Sequence, residues 1–382
     1  RLALMRGIPV CTLESFIGGS DFQICASWTQ PAINWDTVLV KEKWEQAGPH
    51  FATPEAKDNV AKIMGIFDDV DDIYSHQFIK SGNSENIRQS LQLDSRKPVV
   101  LVMPSLGHEK HNRISHYGFK DHVEWFNETV SYLSQRTDCN VIIRSHPFPY
   151  DAIKDPLDHG ASKELPEVLI GKLFSELPDH FRFIGAKEEY NTYDILKIGD
   201  FLVTHHSTTG LEASVLGKAA VICSSINYAD KGFTFDPKTK EQYFSTIDML
   251  IENPEKAKLS ERQVELALCY MDFFYFKWPF PFPWNIMRAF FKKDYSFERV
   301  ISLEILLHSF TETFDFLVNP VPTDIQMRKK EISIYINSAK KYLDDGNIDL
   351  ANRLIGNCAM INFDEIRATQ PKLFDFIKPD IS

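Results

Sequence analysis

From residue 97 to residue 225, short apolar runs alternate with amphipathic stretches, and few architectures accept that rhythm. Pro98-Val99-Val100-Leu101-Val102-Met103 holds no polar side chain and stops at Pro104. A strand with one face in water would alternate apolar and polar residues, so this run suits a strand of a parallel sheet covered on both faces. Asn140–Arg144, Phe181–Ile184, Phe201–Thr204 and Ala219–Cys223 read as further strands. Between them, residues 120–136 place Val123, Phe126, Val130 and Leu133 at spacings of three and four, the period of a helix with one buried face. Residues 189–198 and 210–217 read as helices, the second closed by Gly217. The segment predicts an α/β unit with helices on both sides of a parallel sheet. Such sheets bind ligands beyond the carboxyl ends of their strands.

Outside this unit the patterns are shorter. Residues 8–13 read as a strand before the turn Gly18-Gly19-Ser20, and residues 55–65 and 84–92 as helices. Asp68-Asp69-Val70-Asp71-Asp72 lacks the glycine and distal glutamate of a calcium loop, so it reads as a solvated loop or helix start. Residues 270–291 are dense in aromatics, and their prolines forbid a continuous helix beyond Trp278. They read either as a seam packed between domains or as a contact with a membrane interface. Residues 325–360 read as a helical hairpin, in which residues 339–351 resemble one tetratricopeptide-type turn.

A chain of 382 residues exceeds one ordinary core. The expected division is an N-terminal lobe over residues 1–95, a ligand-binding lobe over 96–255, an aromatic and helical segment over 256–300, and a helical tail over 301–382. The chain begins at Arg1 without a methionine, and residues 1–6 read as the end of a helix, so a piece of a longer protein is expected. A formal charge of −11 argues against a nucleic-acid partner. None of the six cysteines lies in a CxxC pair and several sit in apolar runs, which points to reduced structural thiols and a cytoplasmic location. No apolar run approaches the ~20 residues of a membrane span, and no signal peptide is evident.

Three strand ends carry residues suited to chemistry. After the Phe201 strand comes His205-His206-Ser207-Thr208-Thr209-Gly210-Leu211-Glu212. Hydroxyls before a helix start suit phosphate, Gly210 suits close approach of a ligand, and Glu212 suits a sugar hydroxyl. The competing reading is an ordinary capping sequence. The second is Arg144-Ser145-His146-Pro147, where His146 is placed to donate to a phosphate oxygen and Arg144 to supply charge. The third is Ser105-Leu106-Gly107-His108-Glu109-Lys110-His111, which offers groups for acid–base work. His108 and His111 lack the spacing and partners of a zinc site, so no metal is assigned.

These residues together resemble the bacterial capsule-polysaccharide synthesis family that includes the retaining β-Kdo transferases. The resemblance rests on Gly107, Tyr117-Gly118, Trp125-Phe126, Arg144-x-His146-Pro147 and Ser207-Thr-Thr-Gly-Leu-Glu-Ala213 with Gly217-Lys218. It covers residues 97–235, and more loosely runs to about 290. It implies a GT-B-like α/β fold with two Rossmann-like lobes around a cleft, here with a helical C-terminal tail. It implies a CMP-activated 2-keto sugar acid as donor, a surface glycan as acceptor, and no cofactor. By position, His146 would meet the CMP phosphate, Ser207–Thr209 the phosphate or a nearby carboxylate, and Ile184-Gly185 the cytosine. The retaining members carry an aspartate after the glycine matching Gly107, and it looks like their nucleophile. His108 stands there in this chain, followed by Glu109. Either Glu109 takes that role, or the reaction is inverting, with His108, Glu109 or Glu14 as the base.

Two further readings stay open. A UDP- or GDP-sugar transferase would want cations at the site, for which Arg144 and Lys187 are the candidates. A non-catalytic glycan-assembly module would keep the fold without the chemistry. Peripheral contact with the inner face of the cytoplasmic membrane also stays open, through the aromatic stretch.

Overall fold

The computed structural model describes residues 12–15, 23–27, 44, 53–69, 84–104, 117–146, 165–186, 188, 190–274 and 280–281. In chain order the elements are β1 (Thr12–Ser15), β2 (Gln23–Ser27), α1 (Pro54–Asp69), α2 (Ser84–Ser90), β3 (Val99–Val102) and α3 (His122–Leu133). There follow β4 (Asn140–Arg144), α4 (Pro166–Leu173), β5 (Phe181–Ile184), α5 (Thr192–Ile198), β6 (Phe201–Thr204), α6 (Thr209–Val215) and β7 (Ala219–Ile222). Helix α7 (Lys240–Glu252), a 3-10 turn at Pro254–Ala257, α8 (Glu261–Asp272) and β8 (Phe280–Pro281) complete the described residues.

The chain divides into two compact units: residues 1–35, 42–47 and 272–382, and residues 36–41 and 48–271. In the first, β1, β2 and β8 form an antiparallel sheet in that order, with Glu14 opposite Cys25. The rings of Trp44 and Phe273 lie 5.7 Å apart. The expected tail at 301–382, its hairpin, and the aromatic stretch beyond Phe274 other than Phe280-Pro281 lie outside the described residues.

The second unit is built on a sheet in the order β5-β4-β3-β6-β7, parallel throughout. Chain direction across the sheet therefore reverses between β3 and β6, the place where open α/β sheets leave a crevice. One face carries Val100, Val102, Val141, Ile143, Phe201, Val203 and Val221. It packs on Trp125, Phe126, Val130 and Leu133 of α3, Leu169 and Ile170 of α4, and Tyr243, Ile247, Leu250 and Ile251 of α7. Burial on both faces explains the uninterrupted apolar runs: Val99 to Val102 are each at most 1% exposed. Helices α4 and α7 were not anticipated from the pattern, and α8 falls within the segment expected to be aromatic and helical. Helix α7 shows its signal only in retrospect, as Tyr243, Ile247, Leu250 and Ile251 on one stripe. Cys139 and Cys223 are buried thiols, and burial pushes both upward in pKa. No helix among the described residues is long and apolar enough to cross a membrane.

Side chains close the amino ends of the strands. Asn140 Oδ1 accepts from Asp94 N at 3.0 Å, and its amide nitrogen donates to the carbonyls of Asp94 and Lys97. Asp200 Oδ2 accepts from Val99 N at 2.7 Å. Arg88 Nη2 donates to Ile198 O at 2.6 Å, and the Arg182 guanidinium donates to the carbonyls of Leu91 and Gln92. These bonds tie residues 84–95 to the sheet, which corrects the expected boundary at 95/96: the segment belongs to the second unit.

A polar knot fixes α3 against α7. Trp125 Nε1 donates to Tyr243 Oη at 2.9 Å, and Thr129 Oγ1 lies 3.0 Å from the same oxygen. Tyr243 is fully buried. Replacing it with Phe leaves two buried polar groups without their partner, which costs about 1–3 kcal/mol. A urea titration of Tyr243→Phe should therefore show a lower midpoint with an unchanged slope.

Candidate active site

The candidate groups of the second unit that are described all leave from the carboxyl ends of its strands. Strand β3 ends at Met103 and Pro104, both buried. Its neighbours β4 and β6 rise on either side, about 10 Å apart at two strand spacings. Ladder bonds run slightly past the strands: Met103 N donates to Val203 O at 3.1 Å, and Ser145 N to Ile184 O at 2.9 Å. Thr204 Oγ1 donates to Met103 O at 2.7 Å. The floor of the crevice is thus fixed.

Strand β4 delivers Arg144, Ser145 and His146. His146 is half-buried, two residues past the carboxyl end of the strand. Arg144 is not available to a phosphate, contrary to expectation. It is 3% exposed, and its guanidinium donates to Gly185 O at 2.7 Å and Tyr190 O at 3.1 Å. Burial lowers its pKa to about 10, against the opposing pull of Glu188 and Glu167. Arg144 therefore braces the turn after β5. In that turn Ile184 is fully buried, while Gly185 and Ala186 are half-buried. Gly185 N donates to Glu188 Oε1 at 2.9 Å, and Ala186 N to Glu167 Oε1 at 3.4 Å. Lys187 lies outside the described residues.

Strand β6 delivers the longest polar segment. His205 is buried, its ring 5.8 Å from that of Trp125, and its carbonyl accepts from the Ser224 hydroxyl. His206, Ser207 and Thr209 are half-buried, and Thr208 is exposed. Ser207 Oγ accepts from Thr209 N at 3.3 Å and Thr209 Oγ1 at 2.9 Å, and Ser207 O accepts from the Tyr228 hydroxyl. The segment is therefore a fixed loop rather than a simple cap, and Thr208 makes no side-chain capping bond.

Two expectations in this segment are corrected. Gly210 does not open the backbone to a ligand: a Cβ there would stand 2.2 Å from Tyr228 Oη and 2.9 Å from Ile222 Cδ1. Its small size is required by the packing of Tyr228. Glu212 does not face outward to a sugar hydroxyl either. It is 6% exposed, beside the hydroxyls of Thr208 and Tyr193. Burial raises its pKa to about 7, and the two hydroxyls moderate the rise. Glu212 is thus turned into the protein.

Tyr117 N donates to Cys223 O at 2.9 Å at the end of β7. Lys238 Nζ lies 4.0 Å from the centre of the Tyr117 ring and pairs with both carboxylate oxygens of Asp230. Residues 105–116, which include His108 and Glu109, lie outside the described residues. Both described residues that flank them, Pro104 and Tyr117, sit at the carboxyl edge. Glu14 belongs to β1 of the other unit. The supporting roles of Tyr193, Tyr228, Glu167 and Glu188 had no sequence signal. Glu188 stands in the charged triplet Lys187-Glu188-Glu189, which reads as a solvated turn.

No protein-family model matches this chain, and no curated protein matches it. Among solved structures, it is similar to the β-Kdo 2,4 transferase of Thermosulfurimonas dismutans KpsC, at 18% identity and a TM-score of 0.38, over 70% of this chain and 73% of that one. It is similar to the β-Kdo 2,7 transferase of the same KpsC at 14% identity and 0.36, over 68% and 69%. It is also similar to the wall teichoic acid polymerase TagF at 15% identity and 0.31, where it spans 42% of that chain.

The folded protein holds the Glu212 proton up to about pH 7, and an ordinary glutamate releases it near 4.5. Glu212 thus favours the fold fully below pH 4.5, and that contribution is lost as pH rises through 7. The loss is at most about 3 kcal/mol. Asp236, raised to about 6 by burial, acts in the same window. Urea midpoints between pH 4.5 and 8 should therefore fall less steeply in Glu212→Gln than in the parent.

Proposed function

We propose that the chain is a glycosyltransferase whose donor site lies in the second unit, the one built on a Rossmann-like parallel sheet. It transfers a sugar, a CMP-activated ulosonic acid such as Kdo, onto a growing bacterial surface polysaccharide. The observation that carries this reading is the pair of strand ends flanking β3. His146 stands on one side and Ser207, Thr208 and Thr209 on the other, over a gap of about 10 Å. A nucleotide spans such a gap, with its phosphate between imidazole and hydroxyls and its base toward Gly185.

In the reaction, the bond from the anomeric carbon to the phosphate oxygen breaks, and CMP leaves with the electron pair. His146 and the hydroxyls of residues 207–209 stabilise the charge that develops there. The acceptor hydroxyl forms the new bond and gives its proton to a base, for which His108 and Glu109 are the candidates. The engagement of Arg144 with two carbonyls supports a monophosphate leaving group over a UDP or GDP donor, because a diphosphate would want that charge.

His146→Ala should reduce transfer at least about a hundredfold while the melting temperature stays within a few degrees of the parent. Retained transfer removes the assignment. In a thermal-shift series, CMP should raise the melting temperature more than UDP or GDP. A larger shift with either diphosphate moves the reading to that donor. CMP binding without turnover of any CMP-sugar marks a glycan-assembly module.

A further inference from the structure

We propose that Glu188 selects the base at this site: its carboxylate accepts from the exocyclic amine of a cytosine and turns away a uracil. The inference rests on the nucleotide reading above and adds to it the residue that distinguishes one pyrimidine from the other.

By the resemblance the turn after β5 would meet the cytosine, and the backbone of that turn is engaged. Ile184 O accepts from Ser145 N, and Gly185 O accepts from Arg144 Nη1 and from Glu188 N. Gly185 N and Ala186 N remain as outward donors, and each rests on a carboxylate, Glu188 Oε1 at 2.9 Å and Glu167 Oε1 at 3.4 Å. Both glutamates are exposed, so neither carboxylate is locked in place by packing. Arg144 is the fixed part of the arrangement: buried beneath the turn, it holds the carbonyl side while the amide side faces the carboxylates.

Two neighbouring N–H donors beside a carboxylate acceptor match one pyrimidine and oppose the other. Cytosine presents two acceptors, O2 and N3, next to the 4-amino donor, and a carboxylate is a natural acceptor for that amine. Uracil presents O4 in place of the amine and an N–H in place of N3. A carboxylate facing O4 gains no hydrogen bond and meets a second negative dipole, and the N–H of uracil faces a backbone N–H. On docking of cytosine, the Glu188 carboxylate exchanges the Gly185 N–H for the amine, O2 and N3 take the two backbone donors, and the exposed Glu167 carboxylate released from Ala186 N turns to water. Gly185 fits this use. A Cβ there would meet only ordinary contacts, Glu188 Oε1 at 3.6 Å and Phe183 Cε1 at 3.7 Å, so the packing of the protein does not call for a glycine. Close approach of a ligand to the backbone does.

The test is calorimetric titration of the whole chain with CMP, UMP and GMP, repeated with Glu188→Gln and Glu188→Ala. The parent should bind CMP at least about tenfold more tightly than UMP. Glu188→Gln can donate to O4 through its amide, so the ratio should fall severalfold, mainly through tighter UMP. Glu188→Ala should weaken CMP more than UMP. Because Glu188 is exposed, circular dichroism should show both variants folded. An unchanged CMP-to-UMP ratio in both variants, with CMP still bound, overturns the role of Glu188 and leaves the nucleotide site standing. GMP bound more tightly than CMP overturns the cytosine assignment, since guanine also offers amine donors to a carboxylate. Binding of none of the three nucleotides overturns this inference and the proposed function together.

Discussion

A parallel strand covered on both faces can place polar side chains only at its ends, because an unpaired polar group between two apolar layers costs far more than it returns. Strands β3, β4, β6 and β7 obey this constraint, with their middle residues buried on both sides. The two ends are then used differently. At the amino ends, Asn140 and Asp200 bind backbone groups of the neighbouring loops and close the sheet. At the carboxyl ends, the chain leaves with His146, with His205 through Thr209, and with Ser224. Strand order decides which of those exits adjoin. With β3 central and the order reversing beside it, β4 and β6 stand on either side of a short buried floor made by Met103 and Pro104.

The exits are not loose ends waiting for a ligand. Ser207 is held through its carbonyl by Tyr228 and through its hydroxyl by Thr209. Arg144 holds the β5 turn in the same way from beneath. Groups already in position lose little freedom when a ligand meets them, so they can bind it with less cost in ordering. Gly210 belongs to this support, for Tyr228 reaches Ser207 only because no Cβ stands in its path.

The strands β3 to β7, the helix α3 and the placement of candidate residues at strand ends were legible in the sequence, because periodicity and apolar runs record burial directly. Helices α4 and α7 were not read. Their apolar stripes are interrupted by Lys172 and by Ser245 and Thr246, and their partners are distant in the chain. The roles of single residues were least legible. Arg144, Gly210 and Glu212 each belong to a type suited to a ligand, and each turned inward to serve the protein instead. Residue type records what a side chain can bond, and direction depends on which neighbour lies within reach.

By itself, the sequence determined that residues 97–225 form a doubly covered parallel sheet, since no other arrangement buries so many short apolar runs with helices between them. It also determined which residue types stand at the strand ends. Tertiary structure alone decided the order of the strands, the pairing of β4 and β6 across β3, and the division of polar groups into those facing the crevice and those bracing it from below. These properties follow from contacts between residues 40 to 120 positions apart, such as Arg144 with Gly185 and Trp125 with Tyr243. Local pattern carries no record of such contacts, because the partner of a buried polar group is chosen by the packing of the whole unit.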